Sequence, residues 1–356
     1  LLQDEAGLSM EAIKRLAVQE GDCISLSHLK HIDSLSKVRA KMYHKELGEE
    51  DFNEIISDIT AGRYSNIELA AFISACSGKN LSLKEIIGLT KAMINSGQKM
   101  EWNNAIILDK HCIGGLPGNR TTPIVVSIVS AAGLTIPKTS SRAITSPAGT
   151  ADTMETMAPV NLTLEKIKQV VGEENGCIVW GGAVKLSPAD DIIISVEKSL
   201  DVDSEGQMIA SVLSKKAAVG ATHVVIDIPV GDTAKVRSIV EAKLLQSHFE
   251  AVGKVIGLHV KVILTDGSQP VGKGIGPSLE AMDVLAVLRN QIDAPQDLKE
   301  KAIVLSGMLL ELSGKYASGT GNQAAKDILE NGKAWLKFQA ICEKQGGFKE
   351  PRYATH

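Results

Sequence analysis

From Ser34 to about Gly97 the apolar positions recur three and four residues apart. Four segments carry the pattern, SLSKVRAKMYHKEL, DFNEIISDITAG, SNIELAAFISAC and SLKEIIGLTKAMINSG, and each opens on Ser or Asp, residues that cap a helix N-terminus. That spacing predicts a small unit made only of helices. After Trp102 the pattern changes. Short apolar runs, AIILD, LTIPK, CIVWGG, THVVIDIPV and HVKVILTD, alternate with helical stretches around TTPIVVSIVSAAG and TAKVRSIVEAKLLQSHFEAVG. Strands separated by helices of this length predict a parallel sheet in an α/β domain. Beyond Pro295 three helical patterns follow, DLKEKAIVLSGMLLELSG, GNQAAKDILENG and AWLKFQAICEKQGG. Near the start, SMEAIKRLAVQ reads as a short helix and EGDCISLS as a strand without upstream partners; FKEPRYATH at the end reads as an extended tail.

The fold class expected is therefore α/β with a separate all-helical domain. Residues 1–31 are expected to be the remnant of an N-terminal domain, and 32–103 the helical domain, with about 190–220 contributing to it. Residues 104–189 and 221–295 form the α/β domain, 296–347 a helical extension, and 348–356 a tail leading toward an absent C-terminal domain.

Composition narrows the function classes. Lys plus Arg number 38 against 42 for Asp plus Glu, so the formal charge of -4 offers no general attraction for nucleic acid or an anionic membrane. Any phosphate must be met locally. Five cysteines without a C-x-x-C pair support neither a disulfide framework nor a zinc site, which points to a reducing, cytoplasmic setting. The eight histidines show no metal-ligand spacing, so no metal is expected. No apolar run approaches the roughly 18 residues of a membrane span.

Candidate chemistry sits in three places. In DKHCIGGLPGNRTTPIVV, Asp109 to Val126, a strand ends at Asp109, a Gly-rich loop follows, and a helix begins near Thr121 or Thr122; backbone amides in such a loop cradle phosphate, and Lys110 adds a point charge. On form alone the loop could equally be a tight connection, and it is not a Walker loop. In SSRAITSPAGTADTMETM, residues 140 to 157, hydroxyls flank Arg142, whose guanidinium can fork onto phosphate, while Asp152 and Glu155 mark the start of a helix whose first amides would face an anion. In DVDSEGQMIASVLSKKAAVGA, Met208, Val212 and Leu213 form a buried stripe; Ser211 and Lys215, about 6 Å apart along the axis, share another face. Taken alone, that segment makes Asp203 or Ser204 a helix N-cap and leaves Ser211 and Lys215 as solvated surface. PVGKGIGPS, Pro270 to Ser278, lacks the G-x-G-x-x-G spacing and reads as a structural loop.

KHCIGG, followed about 25 residues later by SSRAITSPAGTADTME, resembles the thymidine phosphorylase family. The run Ser140, Ser141, Arg142, Ala143 leading to Gly149, Thr150, Asp152 and Glu155 carries the resemblance; PAGTAD, VEKSLDVDSEGQMIASVLSKK and VIDIPVGDTAKV are closer to archaeal-type AMP phosphorylases. The resemblance covers about residue 5 to the C-terminus. It implies a helical domain facing a nucleoside phosphorylase/phosphoribosyltransferase-like catalytic domain, with phosphorolysis of an N-glycosidic bond between them. By position, Lys110, Ser140 and Thr150 would bind phosphate, and Ser211 and Lys215 would contact the base. Gly115, Ser141, Arg142, Ala143, Ile144, Thr145, Ser146, Thr150, Ser211, Lys215 and Lys235 would hold a nucleotide, and Asp203 would donate the proton. A base-reading Arg of thymidine phosphorylases aligns with Val196, and Cys112 stands where a Ser is usual. The expected activity is phosphorolysis of a nucleoside 5′-monophosphate, AMP in the first instance, to base and ribose 1,5-bisphosphate. The alternative is a thymidine or pyrimidine nucleoside phosphorylase; a non-catalytic nucleotide-binding protein is a second alternative. Transfer of a phosphoribosyl group to an aromatic amine is disfavoured, because the Asp-rich metal-pyrophosphate signature of that family is not evident. No cofactor is expected, inorganic phosphate being a co-substrate. The partners implied are small molecules and further copies of the chain, pairing through residues 34 to 97 as a homodimer or higher oligomer.

Overall fold

A computed structural model describes residues 5–25, 31–143, 148–184, 186–200, 202 and 204–352. The chain divides into two compact units, 1–33 and 34–356. In the first, α1 (Met10–Leu16) is capped by Ser9, whose hydroxyl accepts from the Ala12 N–H at 3.1 Å, and ends on Ala17 in the left-handed region. The strand expected in EGDCISLS does not form over its described residues, 20–25, which are turn and irregular chain. Nothing described in that unit offers a strand for it to pair with.

In the second unit the four expected helices are α2 (Leu35–Met42), α3 (Glu49–Thr60), α4 (Asn66–Cys76) and α5 (Leu83–Asn95). Ser65 and Ser82 close capping boxes with Glu68 and Glu85, which is why the chain turns into helix at those positions. Phe52, Ile55, Phe72, Ile73 and Leu89 fill the space between the helices. The strand and helix alternation follows: β1 (Leu108–Cys112), α6 (Thr121–Ala131), β2 (Ile136–Ser140), α7 (Thr150–Glu155), α8 (Leu164–Glu174), β3 (Gly176–Trp180), α9 (Pro188–Leu200), α10 (Glu205–Ala218), β4 (His223–Val230), α11 (Ile239–Val255), β5 (His259–Asp266) and α12 (Pro277–Leu288). The three C-terminal helices are α13 (Gln296–Leu312), α14 (Gly321–Glu330) and α15 (Lys333–Lys344).

All strand pairings are parallel. One sheet has the order β1-β4-β5 and the other β2-β3, with a parallel bridge from Ile107 to Thr135 beside β1 and β2. Helix α6 carries no charged residue because it is covered all round, by the sheets, α13 and α15. Helices α9 and α10 return to the helical lobe, α9 against α3 and α4 and α10 against α5. The carboxyl ends of β1, β2, β3 and β4 thus face the lobe that α9 and α10 help to build, and in open α/β sheets that edge is where ligands gather.

Three expectations need correction. The first strand runs on to Cys112, so Lys110 and His111 sit in β1 and not in the loop after it. Pairing with β4, Lys110 opposite Val225 and Cys112 opposite Asp227, carries the strand past the polar Asp109. Lys235 lies in the connection between β4 and α11, which begins only at Ile239 after the N-cap Ser238, not at a helix start. Met208 is half-buried and lines the central cleft; Ile209 takes the core position beside Val212 and Leu213. The loop Pro270 to Ser278 is structural: Lys273 and Gly274 donate their N–H groups to Asp283 Oδ2, each at 2.7 Å, and Gly272 donates to Asp297.

Candidate active site

A cleft of about 960 Å³ opens at the carboxyl edge of the strands. Lys110, Gly115, Ser140, Ser141, Arg142, Ala143, Thr150, Ser211, Lys215 and Lys235 all line it, so the fold brings together residues separated by up to 125 positions. Ile144, Thr145, Ser146 and Asp203 lie outside the described residues.

The floor is a cluster of buried cations around one carboxylate. Asp109, fully buried, meets Lys216 Nζ at 2.8 Å and Lys138 Nζ at 3.4 Å and accepts the Lys110 N–H at 2.6 Å. Burial works to raise its pKa, but the two lysines outweigh it and hold the carboxyl below its ordinary value. Burial also lowers the Lys216 ammonium, with Asp109 opposing. Lys110, only 2 % exposed, has no such partner among the described residues: its Nζ donates to Thr121 Oγ1 at 2.6 Å and approaches Thr122 Oγ1 at 3.5 Å. Burial depresses its pKa, and Cys112 and Asp227 pull it back up. Ser140 Oγ, on the same floor, is buried with no hydrogen-bond partner among the described residues. A buried cation satisfied only by hydroxyls, beside an unsatisfied one, suits an incoming oxyanion.

His111 feels that cluster. Burial, then Lys216, Lys138, Lys215 and Lys110, hold its imidazole well below 6.5, so it is neutral at pH 7. Unfolded, it binds its proton near pH 6.5; folded, it does so only at lower pH. The unfolded state therefore binds more protons as pH falls below about 6.5, and stability falls with it. Urea denaturation at pH 7.5, 6.5 and 5.5 should show a decline to which His111 contributes at most about 1.4 kcal/mol per pH unit. His111→Gln should flatten it; an unchanged pH slope in that variant would remove His111 as the cause.

In the Arg142 loop the polar groups are engaged with one another. The guanidinium forks onto Glu155, Nη2 to Oε1 at 2.9 Å and Nη1 to Oε2 at 2.6 Å, reaches Asp152 at 3.1 Å, and lies 4.9 Å from the Trp180 ring centroid. The fork expected to grip phosphate is already engaged by carboxylates and raised further above its ordinary pKa by them. Of the backbone amides around that helix start, Gly149 N–H and Ala143 N–H donate to Asp152 Oδ2 at 2.9 and 2.7 Å, and Ala151 N–H donates to Ser141 O. Gly149 is required by closeness, since a Cβ there would sit 2.5 Å from Ser141 O.

On the facing wall, Ser204 caps α10, its hydroxyl accepting from Gln207 N–H and donating to Cys76 O at 2.9 Å. Lys215 is not solvated surface. Its Nζ donates to Asp190 Oδ2 at 2.9 Å, both residues line the cleft, and Ser211 lies one turn before it. Val196 does not line the cleft. The loop carrying Lys235 is held close by Gly115, at φ 79°, where a Cβ would stand 2.7 Å from the Lys235 nitrogen. Asn119 Nδ2 donates to Cys112 Sγ at 3.2 Å, and burial pushes that thiol up to about 11.

Sequence reasoning missed Arg120, Lys138 and Lys216, all buried and all lining the cleft. The one available signal was charge at positions the apolar pattern marked as strand or helix interior, Lys138 within LTIPK and Lys216 beside Lys215.

Residues 104–335 match the model of the glycosyl transferase family a/b domain, and residues 34–97 that of its helical bundle domain. The chain belongs to this glycosyl transferase family. It is thereby an enzyme, a pentosyltransferase of the phosphorylase type, with a helical bundle beside a phosphoribosyltransferase-like α/β domain. A Hahella chejuensis protein named "Putative thymidine phosphorylase" is 57% identical over 356 residues, 100% of this chain and 70% of that protein. A Legionella pneumophila (strain Corby) protein of the same name is 60% identical over 350 residues, 98% of this chain and 68% of its own length. The solved anthranilate phosphoribosyltransferase of Thermus thermophilus superposes with a TM-score of 0.72 over 87% of this chain and 99% of that one; at 19% identity the likeness is one of fold. Among the described residues no group of three or more His, Cys, Asp or Glu could hold a metal, and no helix is long and apolar enough to cross a membrane.

Proposed function

We propose that the enzyme cleaves the N-glycosidic bond of a pyrimidine nucleoside with inorganic phosphate, thymidine in the first instance, releasing the base and a (deoxy)ribose 1-phosphate. The observation that carries the reading is Lys110, a buried cation at the carboxyl edge of the sheet with hydroxyls as its partners and Ser140 and Thr150 on the same cleft. The names of the relatives support thymidine as the substrate. A phosphate oxygen attacks C1′, the C1′–N bond breaks, and its electron pair leaves on the base, which takes up a proton. Positive charge develops on the sugar and negative charge on the base, so fixed cations at phosphate and a donor at the base lower the barrier. Lys110, Ser140 and Thr150 hold phosphate in this reading. Ser211 and Lys215, the latter ion-paired with Asp190, hold the base, and Asp203 supplies the proton, roles that rest on the resemblance.

A second reading, a nucleoside 5′-monophosphate such as AMP giving ribose 1,5-bisphosphate, is favoured by two features: Val196 in place of a base-reading Arg, and Lys235 and Arg237 on the cleft wall beside Gly115. A panel of thymidine, uridine, AMP and CMP, each with and without phosphate, separates the two. Phosphate-dependent release of thymine with AMP left intact is expected; adenine released from AMP while thymidine persists would replace the first reading with the second.

A further inference from the structure

Arg120 ties three elements together at the edge of the cleft. Nε donates to Glu280 Oε2 on α12 at 2.7 Å, Nη2 to Ala148 O at 2.9 Å, and Nη1 to Thr150 Oγ1, at the start of α7, at 2.9 Å. Arg120 is 8 % exposed and Glu280 1 %, and Glu280 Oε2 also accepts from Thr153 Oγ1 at 3.0 Å. Three acceptors on three sides of a planar group leave it no freedom to swing toward a ligand.

We propose that Arg120 is a positioning residue that turns the Thr150 hydroxyl into a hydrogen-bond donor toward bound phosphate, an inference that rests on the phosphorolysis reading above. A hydroxyl can accept or donate toward any one neighbour, but a guanidinium has only N–H groups. Facing Arg120, Thr150 Oγ1 must accept, and its single proton is left for another acceptor. Thr150 lines the cleft, so that proton serves a ligand that accepts and does not donate, which is what a phosphate oxyanion does. The guanidinium charge also polarises the O–H and strengthens the bond it makes. A lysine at this position could keep a positive charge beside Glu280 but has no fork with which to span Glu280, Ala148 and Thr150 at once.

Kinetics with phosphate varied at saturating nucleoside, and nucleoside varied at saturating phosphate, test the assignment. Arg120→Lys should raise KM for phosphate about 10-fold and leave KM for nucleoside within about 2-fold, the size of one hydrogen bond to a charged group. Thr150→Val should give the same selective rise, Thr150→Ser should restore the original value, and the double variant Arg120→Lys/Thr150→Val should lose no more than either single change. Equal rises in both KM values, or a double-variant loss equal to the product of the single losses, overturns the proposal. If Arg120→Lys shows no folded baseline in urea, the Thr150 pair decides it: an unchanged phosphate KM in Thr150→Val overturns it. Absence of phosphate-dependent turnover in the unaltered protein is a failure of the phosphorolysis reading. In that event titration calorimetry with inorganic phosphate isolates the present inference, weaker binding in both Arg120→Lys and Thr150→Val supporting it and binding equal to the unaltered protein overturning it.

Discussion

Lys110→Met should lower kcat/KM for phosphate about 100-fold and leave the protein at least as stable as before. Two opposite expectations for one residue follow from its surroundings. The Lys110 ammonium is buried, its hydrogen-bond partners are Thr121 Oγ1 and the more distant Thr122 Oγ1, and burial depresses its pKa. The folded protein holds a desolvated charge without a carboxylate ion-paired to it among the described residues, which costs stability. Methionine has nearly the same shape and no charge, so it removes that cost while filling the same space. An arriving phosphate supplies the counter-charge, and a buried charge-assisted hydrogen bond is worth the upper part of about 1.5–3 kcal/mol, which gives the 100-fold figure. Steady-state kinetics and urea midpoints on the same preparation check both halves. A Lys110→Met enzyme with unaltered phosphate kinetics would remove Lys110 from the phosphate site. One that unfolds readily would make it a structural cation instead.

Asp109→Asn should cost about 3–5 kcal/mol of stability, the largest loss expected from a single polar substitution in the cleft floor. Asp109 is fully buried and is the one carboxylate ion-paired with Lys138 and Lys216 among the described residues. Asparagine keeps the volume but removes the charge, leaving two desolvated ammonium groups facing each other across an amide. The sign with pH is fixed by the carboxyl being held below its ordinary value: the stabilisation is present above about pH 4 and lost as pH falls through the lower folded value. Replacing the charges together, as in Asp109→Leu/Lys216→Met, should recover part of the loss, because it is the uncompensated charge and not the missing bond that costs most. An Asp109→Asn protein within about 1 kcal/mol of the original by urea denaturation would mean that water or rearrangement reaches the two lysines, and the floor is not the closed cluster described.

The helices from α2 to α5, the five strands and the three C-terminal helices were legible in the sequence because each satisfies a local rule. Apolar residues recur at helical spacing, after a Ser capping box at α4 and α5, and short apolar runs are bounded by Gly and polar turns. The strand read into EGDCISLS failed for the complementary reason: an apolar alternation is only an offer of pairing, and no described neighbour takes it up. The same division runs through the site. Local sequence marked Lys110, Ser140 and Thr150 as candidates, since hydroxyls and cations at strand ends are visible within a few residues. It marked Arg142 as well, but the chemistry of a guanidinium does not reveal which protein oxygens it will meet; here they belong to Glu155 and Asp152, thirteen and ten positions on. Lys216 and Lys138 were not picked out, and each is buried with Asp109 opposite, 107 positions before one and 29 before the other. Arg120 acquires its role from Glu280, 160 residues away. The sequence by itself thus determined which segments become helix or strand and which residue types could serve an anion. The tertiary structure decided which of those charges are already neutralised and which still await a partner, because ion pairing depends on distance in space and the chain order of these residues carries none of it.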